Sequence, residues 1–164
     1  MVRRRALLVA PAALWVSACG FELRRAPELR FRTIQLVGFK PRSPIAEELE
    51  ASINASTTTI VVESAAKAEV VLEALGDARE KSVVASTSAG QVREFQLRLR
   101  FSFQLRTPAG KELIPSSEIL LTRDLSYSES VALAKEQEEA FLYRAMQSDI
   151  VAQVLRRLST LQSF

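Results

Sequence analysis

Between Arg93 and Arg106 the chain alternates without a break. Phe95, Leu97, Leu99, Phe101, Phe103 and Leu105 occupy one set of positions, and Glu94, Gln96, Arg98, Arg100, Ser102, Gln104 and Arg106 the other. Successive side chains of a strand point to opposite faces, so this period of two builds one dry face and one wet, basic face. A helix would scatter both sets around its axis. A strand with six apolar groups on one side needs a second layer over that side, and the rest of the chain must supply it.

Strand partners lie on both sides. Thr107-Pro108-Ala109-Gly110 is a turn, and Glu118 to Tyr127 is a strand with Ile119, Leu121, Leu125 and Tyr127 on one face. Arg123 interrupts that face and calls for an acidic or carbonyl partner, or for an edge position. Upstream, Ser64 to Gly76 carries helix signals: a serine start, Ala, Leu and Glu, and a closing glycine. Propensity is a weak guide, however, and Arg79 to Ser86 followed by Thr87-Ser88-Ala89-Gly90 reads as a strand end and a turn. A strand from Val70 to Ser86 is therefore expected. Phe31 to Val37 is a short strand closed by Gly38, and Thr57 to Val62 is β-branched and extended.

Two helices cover the sheet. Ser43 caps the first, with Pro44 at its first position, Glu47 and Glu48 near the positive end of the dipole, and a stripe of Ile45, Leu49 and Ile53. Ser130 to Leu158 is a long helix striped by Leu142, Met146, Ile150, Val154 and Leu158, with Val151 and Leu155 widening the stripe as core. Glu136, Glu138 and Glu139 lie toward its start, and Arg156 and Arg157 at its end. The resulting expectation is an α+β fold over residues 31–164. It is a β-α-β-β-β-α sandwich, with two helices packed on one face of a four-stranded, mostly antiparallel sheet.

The N-terminus carries a different message. Arg3, Arg4 and Arg5 precede an apolar run from Ala6 to Val16, then Val16-Ser17-Ala18-Cys19-Gly20. The run has the length of a secretory signal and is too short for a permanent membrane span. Small residues followed by the chain's one cysteine are similar to a bacterial lipobox, with valine where leucine is commoner. Residues 1–18 are expected to leave as a signal peptide. Cys19 is then acylated, and residues 19–30 form a lipid-anchored tether. Several acyl chains hold a protein to a membrane where one does not. Gly20, rather than aspartate, after the cysteine favours the outer membrane.

Cleavage also changes the charge. The 22 basic residues lose three with the leader and then balance the 19 acidic ones. The basic character belongs largely to the leader, so nucleic acid is not an expected partner. The tether's Arg24, Arg25 and Arg30 either lie against anionic headgroups or are simply solvated.

Catalytic chemistry is sparse. The chain has no histidine, its one thiol is committed to lipid, and its five glycines form no nucleotide-binding loop. Glu136, Glu138 and Glu139 read as a solvated helix face. No metal or cofactor is expected, and a binding or assembly role is favoured over an enzyme.

Cys19-Gly20-Phe21-Glu22-Leu23-Arg24, the element order, and Leu133-Ala134-Lys135-Glu136 opening the last helix together resemble the LptE family of lipopolysaccharide-assembly lipoproteins. The resemblance implies an outer-membrane lipoprotein anchored at the periplasmic side. It implies a heterodimer with the LptD β-barrel, which the protein plugs and helps to assemble, and contact with lipopolysaccharide. Lys135 matches a family lysine that meets lipid phosphates; the alternative is a surface lysine paired with nearby glutamates. The family's second basic contact falls at Ser88 here, a departure for which Arg93 is the substitute. Arg98, Arg100, Arg106 and Arg123 are the candidates for the barrel interface, since a polar lumen suits a polar plug. The same face would equally serve as an ordinary sheet surface open to water. An auxiliary lipoprotein of another envelope lipid-transport system is the alternative function.

Overall fold

A computed structural model describes residues 28–161. The signal segment, Cys19 and the tether up to residue 27 lie outside the described residues. The alternating segment is strand β4, Val92–Arg106, and it organises everything else. It pairs antiparallel with β3, Val70–Ser86, on one side and with β5, Glu112–Ser126, on the other. Two short strands extend the sheet past β3: β1, Thr33–Val37, and β2, Ile60–Val61.

The sheet order is β2-β1-β3-β4-β5, so the expectation of four mostly antiparallel strands needs correction: there are five, and the sheet is mixed. β1 runs parallel to both β2 and β3. The reason lies in the connections. A helix between two neighbouring strands returns the chain to its starting edge, which makes the strands parallel. Helix α1, Pro44–Asn54, does this between β1 and β2. β2 is secured by few bonds, among them Ile60 N–H to the Arg32 carbonyl and Val62 N–H to the Ile34 carbonyl. A 3-10 turn at Ala65–Lys67 then leads into β3.

Both helices pack on the same face, as the stripes require. Ile45, Leu49 and Ile53 of α1 join Met146, Ile150, Val154 and Leu158 of helix α2, Ala132–Ser159, over Leu72, Leu99, Phe101, Phe103 and Leu105. The Ser43 hydroxyl accepts the Ala46 amide at α1's start, and Pro44 opens the helix. Gly38 ends β1 with φ +77, and a Cβ there would collide with the Ala74 carbonyl oxygen. Glycine is the residue that fits such a turn.

Of the register shifts in the sheet, two bear on which side chains face the helices. The β3–β4 register slips between Ala74 and Gly76, leaving Leu75 as the extra residue of a bulge. Before the slip, Leu72 and Ala74 face the helices. After it, Asp77, Arg79 and Lys81 take that side, opposite Phe101, Leu99 and Leu97. On the other edge, β5 begins at Glu112, not Glu118. Its register slips between the Phe103↔Ser117 and Leu105↔Ile114 pairs. Pro115 is accommodated there because an edge strand has an unpaired side.

Candidate partner and lipid-contact surfaces

The wet face of β4 is a charge ladder built by three strands. Arg106 Nε lies 3.2 Å from Glu73 Oε2, which also accepts the Gln104 amide at 3.0 Å. Those two hydrogen bonds, Gln104's first, hold the Glu73 carboxyl below its ordinary range. Arg100 stands 3.8 Å from Glu118, and Arg98 donates twice to Gln96 Oε1, whose amide reaches Asp124. Glu80 sits opposite Arg98 in the register. The basic character of β4 alone therefore does not survive assembly. Arg98, Arg100 and Arg106 are interleaved with Glu73, Glu80, Glu118 and Asp124, and the face is mixed in sign.

Arg123 does not join those three. It lies on the helix face opposite Leu97, where its guanidinium meets Asp149 of α2 at 3.3 Å and the Thr122 carbonyl at 3.0 Å.

Lys135 and Arg93 come to the same end of the sheet. Lys135 Nζ donates to Ser126 at 3.0 Å and to Glu138 at 2.8 Å, and Ser126 is paired with Glu94, next to Arg93. Lys135 leaves 19% of its side chain exposed and is paired with Glu138. Arg93 is exposed, and its carbonyl accepts the Tyr127 amide. It lines a shallow recess with Gln91, Ser128, Glu129 and Ser130. Ser88 is exposed in the hairpin turn between β3 and β4, which Thr87 and Gln91 close.

A third region was not singled out by the sequence. Between β3 and α2 lies a cleft of about 430 Å³ lined by Arg79, Glu136, Glu139, Ala140, Tyr143 and Arg144. Lys81 Nζ bonds Glu139 at 2.6 Å and stands 4.2 Å from the Phe95 ring centroid. Arg79 lies 5.3 Å over the Tyr143 ring and donates to Gln147 Oε1. The Tyr143 hydroxyl donates to the Glu80 carbonyl at 2.7 Å. Burial, reinforced by Glu139, raises the Tyr143 phenol above its ordinary value, so it remains a neutral donor. Gln147 is itself buried and reaches α1 through the Pro44 carbonyl and Glu48. The bulge at Leu75 carries Arg79 to this side, and a one-residue slip leaves no periodic mark to read.

Comparison with known proteins fits this architecture. A family model described as lipopolysaccharide-assembly, LptE, matches residues 31–158, almost the whole described domain. The chain belongs to the LptE family. It is similar to the LPS-assembly lipoprotein LptE of Yersinia enterocolitica, 27% identical over 154 residues, covering 93% of this chain and 73% of that protein. The solution structure of uncharacterized lipoprotein B from Nitrosomonas europaea superposes with a TM-score of 0.74. It is 36% identical and covers 85% of this chain and 90% of its own. The rare lipoprotein B structure from Shewanella oneidensis, 22% identical, shares the fold with a TM-score of 0.67, covering 79% and 95%. LptE membership places the chain in lipopolysaccharide assembly, a non-enzymatic role. Among the described residues no helix is long and apolar enough to cross a membrane.

Proposed function

We propose that this LptE-family protein is the lipoprotein partner of an outer-membrane LptD β-barrel, which it plugs and helps to assemble while binding lipopolysaccharide in transit. Residues 1–18 serve as the signal peptide, Cys19 carries the lipid, and residues 19–30 tether the domain to the periplasmic side of the outer membrane. The observation that carries the barrel reading is the charge ladder of the open sheet face. Arg98, Arg100 and Arg106 alternate there with Glu73, Glu80, Glu118 and Asp124. A surface of mixed sign offers hydrogen-bond partners to a polar lumen lining without the cost of desolvating a block of like charge. Arg123, tied to α2, contributes through the helix side instead. Lys135 and Arg93 supply positive charge at one end of the sheet for anionic lipid phosphates.

The test is isolation of the native lipoprotein in mild detergent. A large β-barrel should accompany it, and the mature N-terminus should be an acylated Cys19 by mass spectrometry. Co-purification with an inner-membrane transporter instead, or a free Cys19 thiol, rules the reading out. Lys135→Asp should weaken lipopolysaccharide binding, most at low salt, and leave the barrel attached.

A further inference from the structure

We infer that the cleft between β3 and α2 is a second anion site, which takes a phosphate group through Arg79 and Arg144. One feature distinguishes it from an ordinary charged surface. Like most of the described basic residues, Arg79 and Arg144 have no carboxylate within 4.0 Å. Arg79, however, is held in place, stacked on Tyr143 and hydrogen-bonded to the buried amide of Gln147. A guanidinium oriented before its ligand arrives loses little freedom on binding, and its planar fork matches phosphate oxygens.

The lining sets Arg79 and Arg144 against Glu136 and Glu139, and Lys81, beside the cleft, offsets Glu139; Glu48 lies on the far side of Gln147. Phosphate, with up to two charges and three acceptor oxygens, is a chemical class that can engage both arginines at once.

Exposed apolar side chains on the same two elements favour a lipid as the source. Leu133 on α2 is 72% exposed, and Val83 on β3 about half exposed. Leu133 lies three residues before the lining residue Glu136, on the same side of the helix, and Val83 lies two residues beyond Lys81, on the same face of its strand. Acyl chains would cover these groups while the phosphate sits among the arginines. The site is separate from Lys135, whose ammonium is tied to Ser126 of β5, at the opposite edge of the sheet from β3's free flank. It rests on the lipopolysaccharide reading above only for the origin of the phosphate.

Titration calorimetry of the full lipoprotein in an uncharged detergent tests it with three probes: lipopolysaccharide, the same material stripped of its lipid phosphates, and inorganic pyrophosphate. Removing the phosphates should weaken binding at least about tenfold. Arg144→Gln, on an exposed helix face, should weaken it about fivefold, and adding Arg79→Gln should weaken it further. Since Arg79 also braces Gln147, melting must show the double variant folded; Arg144→Gln alone carries the test if it is not. Arg144→Lys should restore part of the loss. Pyrophosphate binding with the same arginine dependence keeps the site and assigns it to a soluble phosphate. Unchanged binding of phosphorylated lipopolysaccharide by the folded variants overturns the proposal. So does loss of the barrel with lipid binding intact, which would make both arginines interface residues. A native protein that keeps its barrel but binds neither phosphate probe overturns the proposal and leaves the plug reading standing.

Discussion

The sheet has two halves that hold their helices in different ways. Near β1 and α1, the layer between helices and sheet is apolar throughout, with Phe101, Phe103, Leu99 and Leu105 under Leu49, Ile150 and Val154. Toward the β3–β4 hairpin the apolar layer shrinks to Leu97, Leu125 and Tyr143, flanked by Phe95 and Leu142. There α2 is gripped at both margins by charge: Lys81 with Glu139 on the β3 side, Arg123 with Asp149 on the β5 side. The first turns of α2 bury no residue at all before Tyr143. The contrast locates stability in one half and accessible binding chemistry in the other. Exposed ion pairs contribute little to folding, but they leave polar groups available to a partner.

The sharpest test of this contrast compares two core truncations. Phe101→Ala should cost about 3–5 kcal/mol, and Leu125→Ala should fall near the lower end of the roughly 2–5 kcal/mol range for leucine. Denaturant titration measures both, and equal losses would erase the distinction. Native-state hydrogen exchange gives the next largest effect. Amides of Arg79–Ser86 should exchange at least about tenfold faster than those of Val70–Ala74 on the same strand, since local opening follows the density of buried contacts. Uniform protection along β3 would mean that the charged margins hold as firmly as the core.

Smaller effects follow from the ion pairs. Lys81→Ala and Arg123→Ala should each cost about 0–1 kcal/mol, and Arg100→Ala no more than about 0.5 kcal/mol. A larger loss for Arg123 than for Leu125 would reverse the ranking of the two forces. The smallest effect concerns acid. A carboxyl whose folded pKa lies below its unfolded one adds stability above the unfolded pKa, and that stability disappears as pH falls through the folded pKa. Glu73 is such a group. Glu73→Gln should therefore flatten part of the acid side of the stability–pH curve and change nothing in alkali. A variant that follows the wild-type curve in acid would show that the Glu73–Arg106 contact does not persist in solution.

How much of this was legible depended on whether a signal was local. The alternation of β4, the Ser43-Pro44 start of α1 and the four-residue stripe of α2 are patterns within single elements, and each led to the element found. β3 was legible despite its helical composition because the turn at Thr87–Gly90 needs a strand on either side. The parallel β1–β2 pairing was not, since Ile60–Val61 is too short to announce a partner. The start of β5 was hidden by Pro115, which looks like a loop until its place on an edge is known. The polar face was misread as basic because its sign depends on Glu73, Glu118 and Asp124, carried by the neighbouring strands. Arg79 was missed for a similar reason: the bulge at Leu75 decides which side it takes.

Gln147 bears on whether the molecule unfolds in one step or two. Halves held by different forces tend to let go at different points, and one side chain here spans the seam. Its amide nitrogen serves α1 through Pro44 and Glu48, and its oxygen serves Arg79 of β3. Losing either half strands a buried polar group that the other half must then carry, which ties the two transitions together. Replaced by leucine, the position would keep its bulk and lose this mutual dependence. Denaturation would then broaden, with a lower apparent m-value, as the hairpin end melts ahead of the rest.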